Sequence, residues 1–279
     1  MSSLASSIFS APELPEAGGQ DFQRAAELLR GRAGIVLGEH KREMAERALG
    51  MRAKSLGLPT VKEYLDHLEQ NPLSPHWQAF INAFTINHTA FFREQHHFSI
   101  FADFAKKRGK PLSVWCCASS TGEEAYSIAM TLRESCPAPG SGIHILATDI
   151  DTQAIERARE GVYSLERVDP VPLELLRKYF QRGAGPRAGM VRVKPVLRNM
   201  IEFGVVNLLS ADWPSGQKFD AIFCRNTMIY FDKDTQSRIL ARFATILKPG
   251  GLLFAGHSEN FTYLTKAFRL QGQTVYVAT

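Results

Sequence analysis

Several things are scarce or missing in this 279-residue chain, and each closes off a class of protein. No run approaches the ~20 consecutive apolar residues of a membrane span, and no leader-like segment opens the chain. Neither membrane insertion nor secretion is expected. Cysteines number four (Cys116, Cys117, Cys136 and Cys224), with no C-x-x-C pair. That argues against a disulfide scaffold or a thiolate metal site, and for reduced, buried thiols in a cytoplasmic protein. A G-x-G-x-x-G turn is missing, which disfavours a nicotinamide-dependent dehydrogenase. The N/D-P-P-Y motif of exocyclic-amine methylation is missing too, and the basic residues are not interleaved with aromatics as nucleic-acid stacking platforms would be. The net charge of +5 is mild: it allows an acidic partner without demanding one.

What is present centres on Val114–Tyr126, V-W-C-C-A-S-S-T-G-E-E-A-Y. An apolar run, Leu112–Cys117, stops at small polar residues and one glycine, and a helix-forming segment, Glu123–Ser135, follows. Strand, small-residue turn and helix open a nucleotide-binding α/β sheet. Ser119, Ser120, Thr121 and Gly122 allow close backbone approach to a ligand at the start of a helix. Glu123 and Glu124 sit where a phosphate would arrive; they repel an anion and suit a cation. The same acids also suit an ordinary strand–helix joint.

Taken in order, residues 1–20 are rich in Ser, Ala, Pro and Gly and read as a mobile tail. Residues 21–84 read as a small all-helical domain, with glycines at 31, 34, 38 and 57 breaking it into short helices and Thr60 capping one of them. The second helix carries Lys41, Arg42, Arg47, Arg52 and Lys54: a solvated face, or a docking face for an acidic partner. Residues 85–94, T-I-N-H-T-A-F-F-R-E, form a linker in which Asn87, Thr89 and Arg93 alternate with Phe91 and Phe92. His96 and His97 point different ways, lack metal-ligand spacing and read as surface residues, so no metal is expected.

From 95 onward the chain reads as one α/β domain. His144–Asp149 is its second strand, with Asp149 at the tip where ribose hydroxyls are held; Asp151 and Thr152 cap the next helix. Residues 161–200 break the alternation and suggest an inserted subdomain with a hairpin, including Arg182–Gly189 and alternating Val191, Val193 and Val196. Two further strands, Ile201–Asn207 and Phe219–Cys224, precede an amphipathic helix, Asp234–Leu247, and a closing antiparallel pair. Gly122, Asp149, Asn207 and Arg225 should converge on one sheet edge, where open α/β sheets bind ligands.

Four stretches, T-I-N-H-T-A-F-F-R-E, A-S-S-T-G-E-E-A-Y-S-I-A, F-D-A-I-F-C-R-N-T-M-I-Y-F and L-L-F-A-G-H-S-E-N-F, together resemble the chemotaxis receptor methyltransferases, the CheR family. Ala125 and Thr227 stand where that family usually has Pro and Val, and Cys116-Cys117 replace smaller residues. The resemblance implies a Rossmann-like class I methyltransferase sheet, a helical N-terminal domain and a small β-containing insertion. It implies S-adenosylmethionine as methyl donor, S-adenosylhomocysteine as product, and glutamates on receptor methylation helices as substrate. By resemblance, Asn87, Thr89 and Arg93 contact the cofactor from the linker, Glu124 its amino group and Asp149 its ribose. Asn207 and Leu208 meet the adenine region, and Arg225 and Asn226 line the methionine end. Arg93 and Tyr230 would orient the substrate carboxylate; Arg42, Arg47 and Arg52 would steer an acidic receptor helix. The insertion resembles one that, in some members, binds a receptor's C-terminal peptide. A monomer that can be recruited to receptor arrays is expected; the alternatives are a cofactor-binding sensor or adaptor without transferase activity, or a methyltransferase acting on another substrate.

Overall fold

The computed structural model describes residues 14–109, 111–136, 142–214 and 216–279. Of the expected tail, residues 1–13 lie outside these. The chain packs as two units that divide between Thr85 and Ile86.

The first unit is helical: α1 (Asp21–Ala33), α2 (Arg42–Ser55), α3 (Val61–Gln70) and α4 (His76–Asn82). Helical spacing of apolar residues builds its core from Phe22, Ala25, Leu29, Ala45, Leu49, Tyr64, Leu65, Leu68 and Phe80, all buried. Gly34, at φ 73°, ends α1 in the left-handed region, and Thr60 caps α3 by accepting from the Glu63 N–H at 3.2 Å. Gly31 does not break the chain as expected: it lies inside α1, where its neighbours sustain the helix.

The second unit opens with α5 (His96–Arg108), β1 (Leu112–Cys116), α6 (Glu123–Ser135), β2 (Ile143–Asp149) and α7 (Thr152–Glu160). Next come β3 (Val162–Ser164), α8 (Leu173–Tyr179), β4 (Phe180–Arg182), β5 (Met190–Val193) and the short α9 (Pro195–Arg198). It finishes with β6 (Ile201–Val205), β7 (Phe219–Cys224), α10 (Lys233–Ile246), β8 (Leu247–Ala255), β9 (Phe268–Gly272) and β10 (Val275–Ala278).

The main sheet has seven strands in the order β6-β2-β1-β7-β8-β10-β9. β6, β2, β1, β7 and β8 run parallel, and β10 pairs antiparallel with both neighbours. This is a Rossmann-like α/β sheet closed by an antiparallel hairpin. A strand buried on both faces reads as a nearly unbroken apolar run, and all six residues of β7 are buried. The strand order reverses between β1 and β7, so their carboxyl ends splay apart and leave a crevice.

The insertion is a separate antiparallel sheet, β3-β5-β4. Val196 is not on its strand, as alternation suggested; Pro195 starts α9 instead, because proline cannot donate to a ladder. Phe91, 1% exposed, packs edge-on to Tyr163 and Phe180 of this sheet at 5.0 and 5.6 Å between centroids. The segment 86–94 is thereby pinned to the insertion by apolar packing.

Candidate functional site

The turn from β1 to α6 is shaped by two left-handed residues. Gly122 has φ 98°, and a Cβ there would lie 2.8 Å from the Ala158 Cβ and 3.0 Å from the Tyr163 hydroxyl, so no other residue fits. Ser120, at φ 47°, turns its backbone N–H onto Asp149 Oδ2 at 2.8 Å. Its hydroxyl donates to Asn87 Oδ1 at 2.8 Å, and Asn87 Nδ2 donates to Asp151 Oδ2 at 2.7 Å. Asp151 in turn caps α7 through the Gln153 and Ala154 N–H groups. Asn87, the β1 turn and the β2 tip are thus one hydrogen-bonded unit.

Asp149 is half-buried, and each of its oxygens already accepts one backbone N–H, from Ser120 and Asp151. Burial pushes its carboxyl above the usual range against the pull of those amides. The Ile150 amide also favours the charged form, and the carboxylate's four acceptor sites still leave room for a diol hydroxyl. The two acids of the turn separate in role. Glu123 is fully buried and tied to Arg167 and to the Thr121 hydroxyl, so it serves the fold. Glu124 belongs to the crevice.

Arg225, 4% exposed at the end of β7, is the hub there. Its Nη1 donates to Glu124 Oε2 at 2.6 Å; its Nη2 lies 3.2 Å from Glu94 Oε2 and donates to the Arg93 carbonyl. Two carboxylates around one guanidinium leave a net negative charge, and Asp149 adds to it. Burial acts to raise the Glu94 carboxyl, but Arg225, the His257 N–H and Asn226 hold it below its ordinary range. Four buried atoms at and beside this hub, Arg225 Nε, Ser119 Oγ, Glu94 Oε2 and His97 Nδ1, have no hydrogen-bond partner among the described residues. Such orphans are costly unless a ligand meets them. Cys116 Sγ lies 3.3 Å from Glu124 Oε1, and burial raises this thiol well above its ordinary value.

The C-R-N-T-M-I-Y-F segment follows β7 with Asn226 at φ 56°. Gly256 makes room for it: a Cβ there would come within 2.3 Å of Asn226 Nδ2. Tyr230 is half-buried; burial and the charge of Glu259 push its hydroxyl up, while Arg93 opposes them. Arg93 itself is half-buried and donates to the His88 carbonyl at 2.8 Å. Arg93 and Tyr230 therefore sit in each other's electrostatic field.

The remaining expected residues are placed less simply. Thr89 is half-buried in the segment between Asn87 and Arg93. Asn207, after β6, accepts the Leu209 N–H on its Oδ1 at 2.9 Å. The Leu208 side chain packs into an apolar cluster with Trp115, Trp213 and Phe243, so only its backbone lies near the strand ends. On α2, Arg42 is half-buried, paired with Glu39 and Glu46, and stacked 4.3 Å over Phe22. Arg52 is half-buried, whereas Arg47 is exposed and lies between the exposed Met44 and Met51.

His97 is a correction. It is not a surface residue: its exposure is 0%, and Nε2 meets the Gln273 carbonyl at 2.8 Å. A carbonyl only accepts, so Nε2 carries the proton and Nδ1 presents a lone pair 3.5 Å from Glu94 Oε2. Burial lowers this imidazole to a pKa of about 4, so it is neutral near pH 7. Nor do the two histidines point fully apart, since ligating atoms of Glu94, His96 and His97 lie within 4.8 Å of one another. Arg225 already supplies the cation facing that carboxylate. Two residues escaped the sequence reading altogether: Glu94 and Glu259. Both fall inside the quoted motifs, but nothing in their spacing says that a carboxylate there is buried.

Residues 20–85 match the family described as CheR methyltransferase, all-alpha domain, and residues 87–277 match CheR methyltransferase, SAM binding domain. A chemotaxis protein methyltransferase of Escherichia coli K12 is 51% identical over 255 residues, covering 91% of this chain and 89% of that protein. One from Salmonella typhimurium is 52% identical over 255 residues, covering 91% and 88%. Chemotaxis protein methyltransferase 2 of Pseudomonas aeruginosa is 48% identical over 260 residues, covering 92% of each.

Proposed function

The chain belongs to the CheR methyltransferase family, and from that premise we propose that it esterifies glutamate side chains on chemoreceptors. The net reaction takes S-adenosylmethionine and a glutamate carboxylate to S-adenosylhomocysteine and a glutamyl methyl ester. The observation that carries this reading is the acidic crevice, in which Glu94 and Glu124 outnumber the buried Arg225 and Asp149 stands at the β2 tip. A donor with an ammonium, a sulfonium, a ribose diol and no phosphate matches that charge. The orphaned Arg225 Nε and Ser119 Oγ offer it polar contacts.

S-adenosylmethionine supplies an electrophilic methyl group. The chain's residues would bind and aim. Asp149 takes the ribose hydroxyls, Glu124 the ammonium, and Asn207 with the Leu208 backbone the adenine region. Arg225, Asn226, Asn87, Thr89 and Arg93 close the remaining sides. A glutamate has a pKa near 4.3 and is already ionised at neutral pH, so no general base is needed. Orientation and removal of its hydration shell remain, and positioning of this kind can contribute several kcal/mol, up to about 7–11. Arg93 attracts the substrate carboxylate and Tyr230 donates to it. Burial and the Glu259 charge keep that hydroxyl protonated, hence a donor.

Incubation with labelled S-adenosylmethionine and receptor cytoplasmic domains, then treatment with base, should release labelled methanol. Label that resists base would refute the carboxylate as acceptor. Tyr230→Phe should lower kcat about 10- to 100-fold, the worth of one hydrogen bond to a charged group, with cofactor affinity nearly unchanged. Equal loss in both would contradict the role.

Receptor docking is assigned to α2, with Arg47 leading because Arg42 is already paired with Glu39 and Glu46. Such steering is screened over a Debye length of about 8 Å at physiological salt. The KM for receptor should therefore rise with ionic strength, and less steeply in Arg47→Gln. Identical salt slopes would remove Arg47 from the docking face.

A further inference from the structure

Glu259 lies beyond β8, away in sequence from every residue assigned a role above, and is 3% exposed. Its Oε1 accepts the backbone N–H groups of Thr227, Met228 and Ile229 at 2.9, 2.7 and 3.3 Å. Its Oε2 accepts those of Asn226 and Gly256 at 3.0 and 2.5 Å. A capping side chain ordinarily satisfies one or two N–H groups at a helix start. Here one carboxylate gathers five. Four of them are consecutive and lead directly into Tyr230.

Resting on the function proposed above, we propose that Glu259 is a positioning residue for methyl transfer: it sets the turn carrying Asn226 and Tyr230 and thereby aims the Tyr230 hydroxyl.

Three features support it. The left-handed backbone of Asn226 is a conformation side-chain-bearing residues adopt at a cost, which the paired N–H groups offset. The turn then propagates that geometry, with Tyr230 N–H on the Thr227 carbonyl and Phe231 N–H on the Met228 carbonyl, each at 3.1 Å. Displacing the carboxylate would displace both donors' carbonyl partners and rotate Tyr230. The charge also matters beyond geometry, since Glu259 opposes Arg93 in setting the Tyr230 hydroxyl. A neutral cap of the same shape could not do that.

Glu259→Gln tests this, because either orientation of the amide turns an NH2 toward backbone donors. The full chain is assayed with receptor cytoplasmic domains, alone and in the Tyr230→Phe background. Glu259→Gln should lower kcat about 10-fold or more. In the Tyr230→Phe background the further loss should be under about 3-fold, since interacting residues are non-additive. Equal losses in the two backgrounds would overturn the proposal, because a merely structural role multiplies. Should Glu259→Gln not fold, Glu259→Asp keeps the charge one methylene shorter and is read in the same two backgrounds by the same criterion. Wild-type methanol release is measured alongside: its absence refutes the glutamate reading, whereas its presence with additive losses refutes only the role of Glu259.

Discussion

Arg225→Leu is expected to destabilise the methyltransferase unit by about 3–5 kcal/mol and to abolish cofactor binding. Leucine fills much of the volume but leaves Glu124 and Glu94 facing each other without their shared cation. Breaking a buried ion pair from one side strands an uncompensated charge, which is why the loss is large even though an intact buried pair adds little net stability. The Arg93 carbonyl also loses its donor, so the catalytic segment loosens with the hub. For a unit of this size, a loss of that order lowers Tm by about 10 °C. Arg225→Lys keeps one charge but lacks the fork that reaches two carboxylates, so it should fall between wild type and Leu. Chemical denaturation and calorimetric titration with S-adenosylhomocysteine check both. A Leu variant within about 1 kcal/mol of wild type that still binds would show that Arg225 is not the hub.

Asp149→Ala should weaken cofactor binding about 100-fold or more. Hydrogen bonding from ribose hydroxyls to a carboxylate is at stake, each such bond worth roughly 1.5–3 kcal/mol when one partner is charged. The same substitution frees the Ser120 and Asp151 N–H groups, so part of the loss would come from a slackened turn. Asp149→Asn separates the two contributions, because its amide oxygen can still accept one of those N–H groups. Asn should therefore bind better than Ala and worse than Asp. Turnover at saturating cofactor should change far less than affinity in both. A change in Kd under about 5-fold for Ala would take the ribose role away from Asp149.

The residues that sequence placed well are those whose position follows from the period of an element or from one backbone constraint. Asp149 could be assigned to a strand tip because an apolar stretch in His144–Asp149 ends at an acid, and Gly122 to a tight turn because small residues follow an apolar run. Asp151 as a cap was legible for the same local reason. What stayed hidden was long-range. Nothing near His97 in the chain says that residues 273 and 274 will cover it, so a polar residue in a helix was read as solvated. Glu259 was opaque in the same way, because a carboxylate becomes a backbone organiser only when a turn 30 residues away presents its N–H groups. Glu123 and Glu124 looked equivalent on a helix start. Arg167 and Arg225, distant in sequence, divide them into a fold residue and a site residue. Arg42 belongs with these: its charge was legible, but the Glu39 and Glu46 that neutralise much of it become neighbours only once the helix forms.

The bond from His97 to the Gln273 carbonyl spans 176 positions and fixes the ring beside Glu94. During vectorial synthesis, His97 thus emerges long before the hairpin that covers it. A nascent chain could complete β1, β2 and β7 and still leave His97 uncovered beside Glu94. Contacts so distant are the slowest to form, because loop closure must precede them. A nonsense codon shortly before Phe268 would accordingly leave that imidazole uncovered and the outer edge of β8 without its neighbour.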